Sequence, residues 1–264
     1  MALKELAGKI YVSDYNESVN KNLSLPKKVR IFDTSLRDGE QLPGVTYRRE
    51  DKVEIASALD KLGVDIIEAG FPINSQPEFA TVREIASLGL KSKVCGLARA
   101  ITKDIDSCIQ ADVDIVHTFI STSDIHLKYQ MGKTQNQVYA EAVKAVEYSK
   151  KHGFKTLFSA MDASRTEISY LVKVFKGVVE AGADIINVPD TVGVMNPPAM
   201  SALIKRIRKD IKVPIDVHCH NDFGLAVANS LAAVEAGADG VQVSMNGLGE
   251  RAGNASLEQI IMSL

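Results

Sequence analysis

A chain of 264 residues, 45% hydrophobic and 24% charged, has the composition of an ordinary globular protein. At that length it buries roughly three quarters of its unfolded surface, so it needs no disulfide or metal staple to fold. A net charge of −2 carries no basic excess and argues against a nucleic-acid partner.

Residues 1–28 differ from the rest. They hold Asn16, Asn20, Asn22 and several serines, and Pro26 near the end, and read as an N-terminal extension: an arm or short helix outside the main domain. The first residues contain no signal-peptide core, and no later stretch approaches the ~20 apolar residues of a membrane span. Cys95, Cys108 and Cys219 form no paired or zinc-like spacing. A cytoplasmic protein is expected.

From Val29 short apolar runs alternate with longer amphipathic stretches. The strand candidates are Val29–Phe32, Asp65–Ala69, Lys93–Ala98, Ile115–Ile120, Thr156–Ala160, Ile185–Pro189, Pro214–His218 and Gly240–Met245. Helix patterns fall at Glu50–Leu62, Asn136–Lys151, Thr166–Ala181, Pro197–Lys209 and Leu225–Ala236. In the first of these, Val53, Ile55, Ala56, Leu59 and Leu62 form the apolar stripe. A weak repeat phases the pattern: Leu62-Gly-Val-Asp65, Ala111-Asp-Val-Asp114, Ala181-Gly-Ala-Asp184 and Ala236-Gly-Ala-Asp239. Each ends a helix, turns, and places an Asp before an even-numbered strand. Strand–helix units of ~30 residues in this number predict a (β/α)8 TIM barrel over 29–264. A doubly wound sheet is the structural alternative, weakened because no G-x-G-x-x-G follows the first strand.

In a barrel the chemistry gathers at the C-terminal strand ends. His218-Cys-His220 puts two imidazoles on one strand face and Cys219 on the other. Asp38 across the barrel supplies a carboxylate, and Asn254 a fourth oxygen. Mixed N and O ligands suit a divalent cation, with Mg²⁺, Mn²⁺ and Zn²⁺ all compatible. The same two-histidine, one-carboxylate set also serves iron oxygenases. The loop Asp33–Gln41 is dense in charge directly after an apolar strand, and Arg37 in it can donate to an oxyanion. The glycine-rich run Asn246–Asn254 opens a helix and suits anion binding or a plain connecting loop.

Four segments carry a resemblance: Phe32-Asp-Thr-Ser-Leu-Arg-Asp-Gly-Glu-Gln41, Val188-Pro-Asp-Thr-Val-Gly193, His218-Cys-His-Asn-Asp-Phe-Gly-Leu-Ala-Val-Ala-Asn229 and Asn246-Gly-Leu-Gly-Glu-Arg-Ala-Gly-Asn254. In order and length they resemble the signatures of the DRE-TIM metallolyase family. Cys95-Gly-Leu-Ala-Arg-Ala100 and His117–His126 are most similar to its 2-isopropylmalate synthase branch, with homocitrate and citramalate synthases as close relatives. The resemblance implies a barrel metalloenzyme that condenses acetyl-CoA with a 2-oxoacid, as in leucine biosynthesis. Asp38, His218, His220 and Asn254 match its metal ligands, and Arg37 its catalytic arginine. Gln41 and Glu68 match catalytic pocket positions, and Arg99, His117, Ser159 and Thr191 match substrate-binding ones.

Two departures stand out. The fifth strand reads Phe158-Ser-Ala-Met-Asp162, whereas the synthases carry Glu where Met161 stands. A thioether neither transfers a proton nor holds a charge. Asp162 or Glu68 takes over the role, or the barrel is slow or silent and only binds. The chain also stops at Leu264, so it reads as the barrel alone, without the linker and regulatory domains the resemblance implies. Leu257, Ile260, Ile261 and Leu264 then leave an apolar helix face open, which predicts a homodimer. A lyase cleaving a 3-hydroxyacyl-CoA is the reverse chemistry; its loop cysteine has no counterpart in Asn246–Asn254.

Overall fold

The computed structural model describes residues 25–264 together with Asn16, Val19 and Leu23, so most of the expected N-terminal arm lies outside the described residues. The strands are β1 (Arg30–Asp33), β2 (Ile66–Gly70), β3 (Lys93–Arg99), β4 (Ile115–Ser121), β5 (Lys155–Met161), β6 (Ile185–Asp190), β7 (Ile215–Cys219) and β8 (Gly240–Val243). They close into a barrel in sequence order, and β1 pairs with β8 in parallel. Between them run α1 (Arg49–Leu62), α2 (Gln76–Ala86), α3 (Thr102–Gln110), α4 (Gln135–Lys151), α5 (Ile168–Glu180), α6 (Pro197–Asp210) and α7 (Ala226–Glu235); α8 (Leu257–Ser263) follows β8. The expected (β/α)8 barrel is therefore the fold. No described helix is long and apolar enough to cross a membrane.

Alternation along the strands sorts side chains between helices and lumen. Inward residues low in the barrel are apolar: Phe32, Ile66, Cys95, Ile115, Leu157 and Ile185 pack as one cluster. Two residues further along, the same faces carry Glu68, His117, Ser159 and Asn187, all buried. Strand β7 continues the polar layer with His218, and β8 with Gln242. The lumen thus changes from a hydrophobic plug to a polar floor within one pleat.

The repeat seen in the sequence closes the opposite rim. Its turn residues Gly63, Asp112, Gly182 and Gly237 have φ of 93°, 58°, 104° and 106°, the left-handed helix stop that glycine adopts at least cost. Each following Asp then grips the preceding strand twice. The N–H groups of Asp65, Asp114, Asp184 and Asp239 donate to the carbonyls of Ile31, Val94, Thr156 and Ile215. Their carboxylates accept the N–H groups of the same four residues. The barrel bottom is therefore stapled by a device repeated in alternate units. Asp184→Ala leaves the Thr156 N–H without its carboxylate and is expected to cost about 1–2 kcal/mol, read as a lower urea midpoint with unchanged slope.

Two packing expectations need correction. Leu62 is 57% exposed, not part of the α1 stripe, because it is the last helical residue before the turn at Gly63. Lys52 is buried on that helix instead, its ammonium paired with Glu40 and Glu78 at 2.7 and 2.8 Å. The apolar face of α8 is half covered by the barrel itself: Leu257 and Ile260 are buried in the main core, and Ile261 and Leu264 are exposed.

Candidate functional site

A cavity of about 310 Å³ opens at the C-terminal strand ends. Arg37, Asp38, Gln41, His117, Ser159, Thr191, His218 and His220 all line it, together with Phe71, Leu97, Phe119 and Met161. Glu68 lies beneath, fully buried, and Asn254 stands beside Asp38. Arg99 is absent from the lining: its guanidinium turns out to the buried Asp104, 2.6 Å away, because α3 presents that carboxylate at the end of β3. The Arg99 side chain is 54% exposed.

The loop after β1 places Arg37 between two carboxylates. Its Nε donates to Glu68 at 2.6 Å, and its Nη1 lies 3.1 Å from Asp38. Burial works against charge at all three groups, but mutual attraction outweighs it. Glu68 is drawn down to about 2 by Arg37 and then His117. Asp38 is held below the ordinary carboxylate range chiefly by Arg37, and Arg37 above the ordinary guanidinium range by Glu68 and Asp38.

Asp38 also faces the histidine pair on β7. Its Oδ2 is 3.2 Å from His218 Nε2 and 3.9 Å from His220 Nε2. One ligand atom from each of the three buried residues lies within 4.8 Å of the others. The donor chemistry fits a cation. Gln242 Oε1 sits 2.8 Å from His218 Nδ1 and accepts its proton, which leaves the Nε2 lone pair facing the Asp38 carboxylate. Burial, foremost, lowers His220 to about 3, which keeps that imidazole neutral. Two lone pairs turned on one carboxylate are reconciled by a metal ion between them. Asn254 donates from Nδ2 to Asp38 at 2.6 Å, and its Oδ1 is buried without a partner. Its amide nitrogen, not its oxygen, therefore faces the cluster. Cys219 points away, and burial pushes its thiol up to about 12.

Position 161 ends β5, two residues beyond Ser159 on the same strand face, and Met161 reaches the cavity. Asp162 does not replace the missing carboxylate. It is buried outside the cavity lining, hydrogen-bonded to Arg165 and to Ser123. Alternation turns it off the pocket face, and its left-handed φ of 65° starts the next loop.

Asp33, at the end of β1, is a further buried carboxyl. Burial pushes it up to about 7, against two hydrogen bonds from Ser35. Its ordinary value is 3.8, so ionising it in the fold costs stability that is absent below pH ~4 and fully present above pH ~7. Asp33→Asn removes that cost. The variant's stability relative to the parent is expected to rise by roughly 4 kcal/mol between pH 4 and pH 8 in urea titrations. A pH-independent difference would contradict this.

Sequence reasoning missed Asn187 and Gln242, the partners that orient Ser159 and His218. A polar residue inside an otherwise apolar strand was the available signal at both. Phe71 and the Lys52 pair with Glu40 and Glu78 left no comparable signal.

The HMGL-like family model matches residues 28–264. The 2-isopropylmalate synthase of Methanocaldococcus jannaschii is 58% identical over 258 residues, covering 97% of this chain and 50% of that protein. A probable 2-isopropylmalate synthase of Methanosarcina acetivorans is 62% identical over 238 residues, covering 90% of this chain and 46% of its own length. This chain thus spans about half the length of the curated relatives it matches. Among solved structures, the HMG-CoA lyase of Bacillus subtilis superposes with a TM-score of 0.81 at 21% identity, covering 90% of this chain and 86% of that one, which bears on the fold alone. A family match over nearly the whole chain, with relatives this similar, establishes that the chain belongs to the HMGL-like family, the DRE-TIM metallolyases.

Proposed function

We propose that this barrel condenses acetyl-CoA with a 2-oxoacid, 2-oxoisovalerate favoured, and that water then hydrolyses the condensed thioester to give a 2-alkylmalate and the free thiol. The observation that carries the reading is the Asp38, His218 and His220 cluster placed directly beside Arg37 in one cavity. A divalent cation bound there supplies Lewis acidity toward the oxoacid's keto oxygen and carboxylate. Arg37 contributes positive charge that burial and two carboxylates fix in place, ready for the oxyanion that forms on attack. His117 and Thr191 border the oxoacid space, and Gln41 its entrance loop.

The rest of the wall favours a small apolar side chain. Phe71, Leu97, Phe119 and Met161 line it. A second carboxylate on the oxoacid would need a cation there, and Arg99 is committed to Asp104 outside. Incubation with acetyl-CoA, Mn²⁺ and a panel of oxoacids, with thiol release followed, tests the reading. Turnover is expected to be highest with 2-oxoisovalerate and lower with pyruvate and 2-oxoglutarate. Preference for 2-oxoglutarate would overturn the specificity, and no turnover with any of them the reaction.

Met161 favours a second reading, a weakened barrel that binds cation and oxoacid but turns over slowly. The carboxylates lining the cavity are all paired: Glu40 and Glu78 with Lys52, Glu250 with Arg251, and Asp38 with Arg37. Localisation in the cytoplasm and a homodimer built on Ile261 and Leu264 are parts of the same proposal.

A further inference from the structure

The polar floor of the cavity contains a hydrogen-bonded chain that runs in one direction. Glu68 Oε1 lies 2.6 Å from His117 Nδ1, and His117 Nε2 lies 2.6 Å from Ser159 Oγ. Asn187 Nδ2 donates to the same Oγ at 2.8 Å. Arg37 Nε occupies Glu68 Oε2 at 2.6 Å. The donors and acceptors fix the protons. An ionised carboxylate only accepts, so Glu68 takes the Nδ1 proton of His117. His117 Nε2 then carries a lone pair and accepts the Ser159 hydroxyl. Ser159 Oγ in turn accepts from Asn187, and its remaining lone pair is free. All four side chains are at least 95% buried, while His117 and Ser159 reach the cavity lining. This is the order of groups that activates a hydroxyl: carboxylate, imidazole, hydroxyl.

Other proton acceptors at the cavity are engaged. Glu40, Glu78, Glu250 and Asp38 are paired with cations, and the two β7 histidines face Asp38. Among the described lining residues His117 is the imidazole with a route for its proton, and Ser159 is its outlet. That outlet stands one pleat below Met161 on the same face of β5.

We propose that Ser159, His117 and Glu68 form a proton relay that deprotonates the methyl group of a bound acetyl thioester. Ser159 Oγ takes the proton from the methyl carbon while its own proton passes to His117 Nε2. The C–H electron pair becomes the enolate, which attacks the keto carbon of the oxoacid. His117 becomes an imidazolium held by Glu68, and the proton returns through Ser159 to the alkoxide of the condensed product. Glu68 stays ionised throughout and acts as a positioning residue. The relay rests on the condensation reading, so its test must separate the two.

Two measurements do so. The first is deuterium uptake by the methyl group of acetyl-CoA in D₂O, read by mass spectrometry, with Mg²⁺ and 2-hydroxyisovalerate filling the oxoacid space. The parent chain is expected to exchange, and Ser159→Ala to exchange at least about 100-fold more slowly, with its far-ultraviolet circular dichroism unchanged. Exchange without condensation of any oxoacid overturns the synthase reading alone. Absence of exchange in the parent, or exchange that survives Ser159→Ala, overturns the relay. The second is ¹⁵N NMR of the His117 ring in the metal-free protein, which needs no turnover. A protonated Nδ1 and a bare Nε2 at pH 7.5 are expected, with the Nε2 resonance shifting in Ser159→Ala. A proton on Nε2 at that pH overturns the relay.

Discussion

Arg37→Lys is expected to lower kcat for condensation by about 100-fold or more, with the fold intact. Lysine preserves the charge but not the fork. The guanidinium uses Nε on Glu68 and Nη1 on Asp38 and still presents donors to the cavity. A single ammonium cannot hold both carboxylates at their present separation and also face a developing oxyanion. Lysine keeps a cation beside the two buried carboxylates, which Arg37→Met would remove, so the loss reports on geometry more than on folding. Thiol release gives the rate, and far-ultraviolet circular dichroism checks the fold. A variant within threefold of the parent would remove Arg37 from the reaction.

Met161→Glu is the second large effect, and its sign is opposite. A carboxylate at the end of β5 would enter the cavity unpaired, above Ser159 and two strands from the β7 histidines. Met161 is only part-buried, so a charge there keeps contact with solvent and avoids most of the desolvation cost. Direct general-base catalysis adds 10²- to 10⁴-fold, and an increase of about 100-fold in kcat is expected. Such a gain would mark Met161 as the reason for a slow barrel. An unchanged rate in an otherwise active protein would show that the buried relay already carries the proton. A loss would contradict the placement of position 161 in the reacting space.

The strands were readable because parallel strands are buried on both faces and appear as short apolar runs. The helix-to-strand turns were readable from the Asp repeat, although its stapling role appears only when each carboxylate meets the strand before it. His218 and His220 were legible through two-residue alternation, which needs no knowledge of partners. Arg99 was not. Its direction depends on Asp104, a residue of the next helix, and no periodicity in β3 encodes it. The burial of Lys52 depends likewise on Glu40 from the loop after β1 and Glu78 from the first turn of α2. Leu62 fits a helical stripe by spacing, yet the buried stripe ends at Leu59 because the chain turns at Gly63. Long-range pairing decided each of these, and local sequence carries little of it.

A cation between Asp38 and the paired imidazoles is the centre of the proposed chemistry. Anomalous diffraction from Mn²⁺-soaked crystals, collected for the parent chain and for His218→Ala, tests it most directly. The prediction is one strong peak bonded to Asp38, His218 and His220, absent in the variant. A map in which that space holds only water, or in which Mn²⁺ binds elsewhere and persists in His218→Ala, would contradict it.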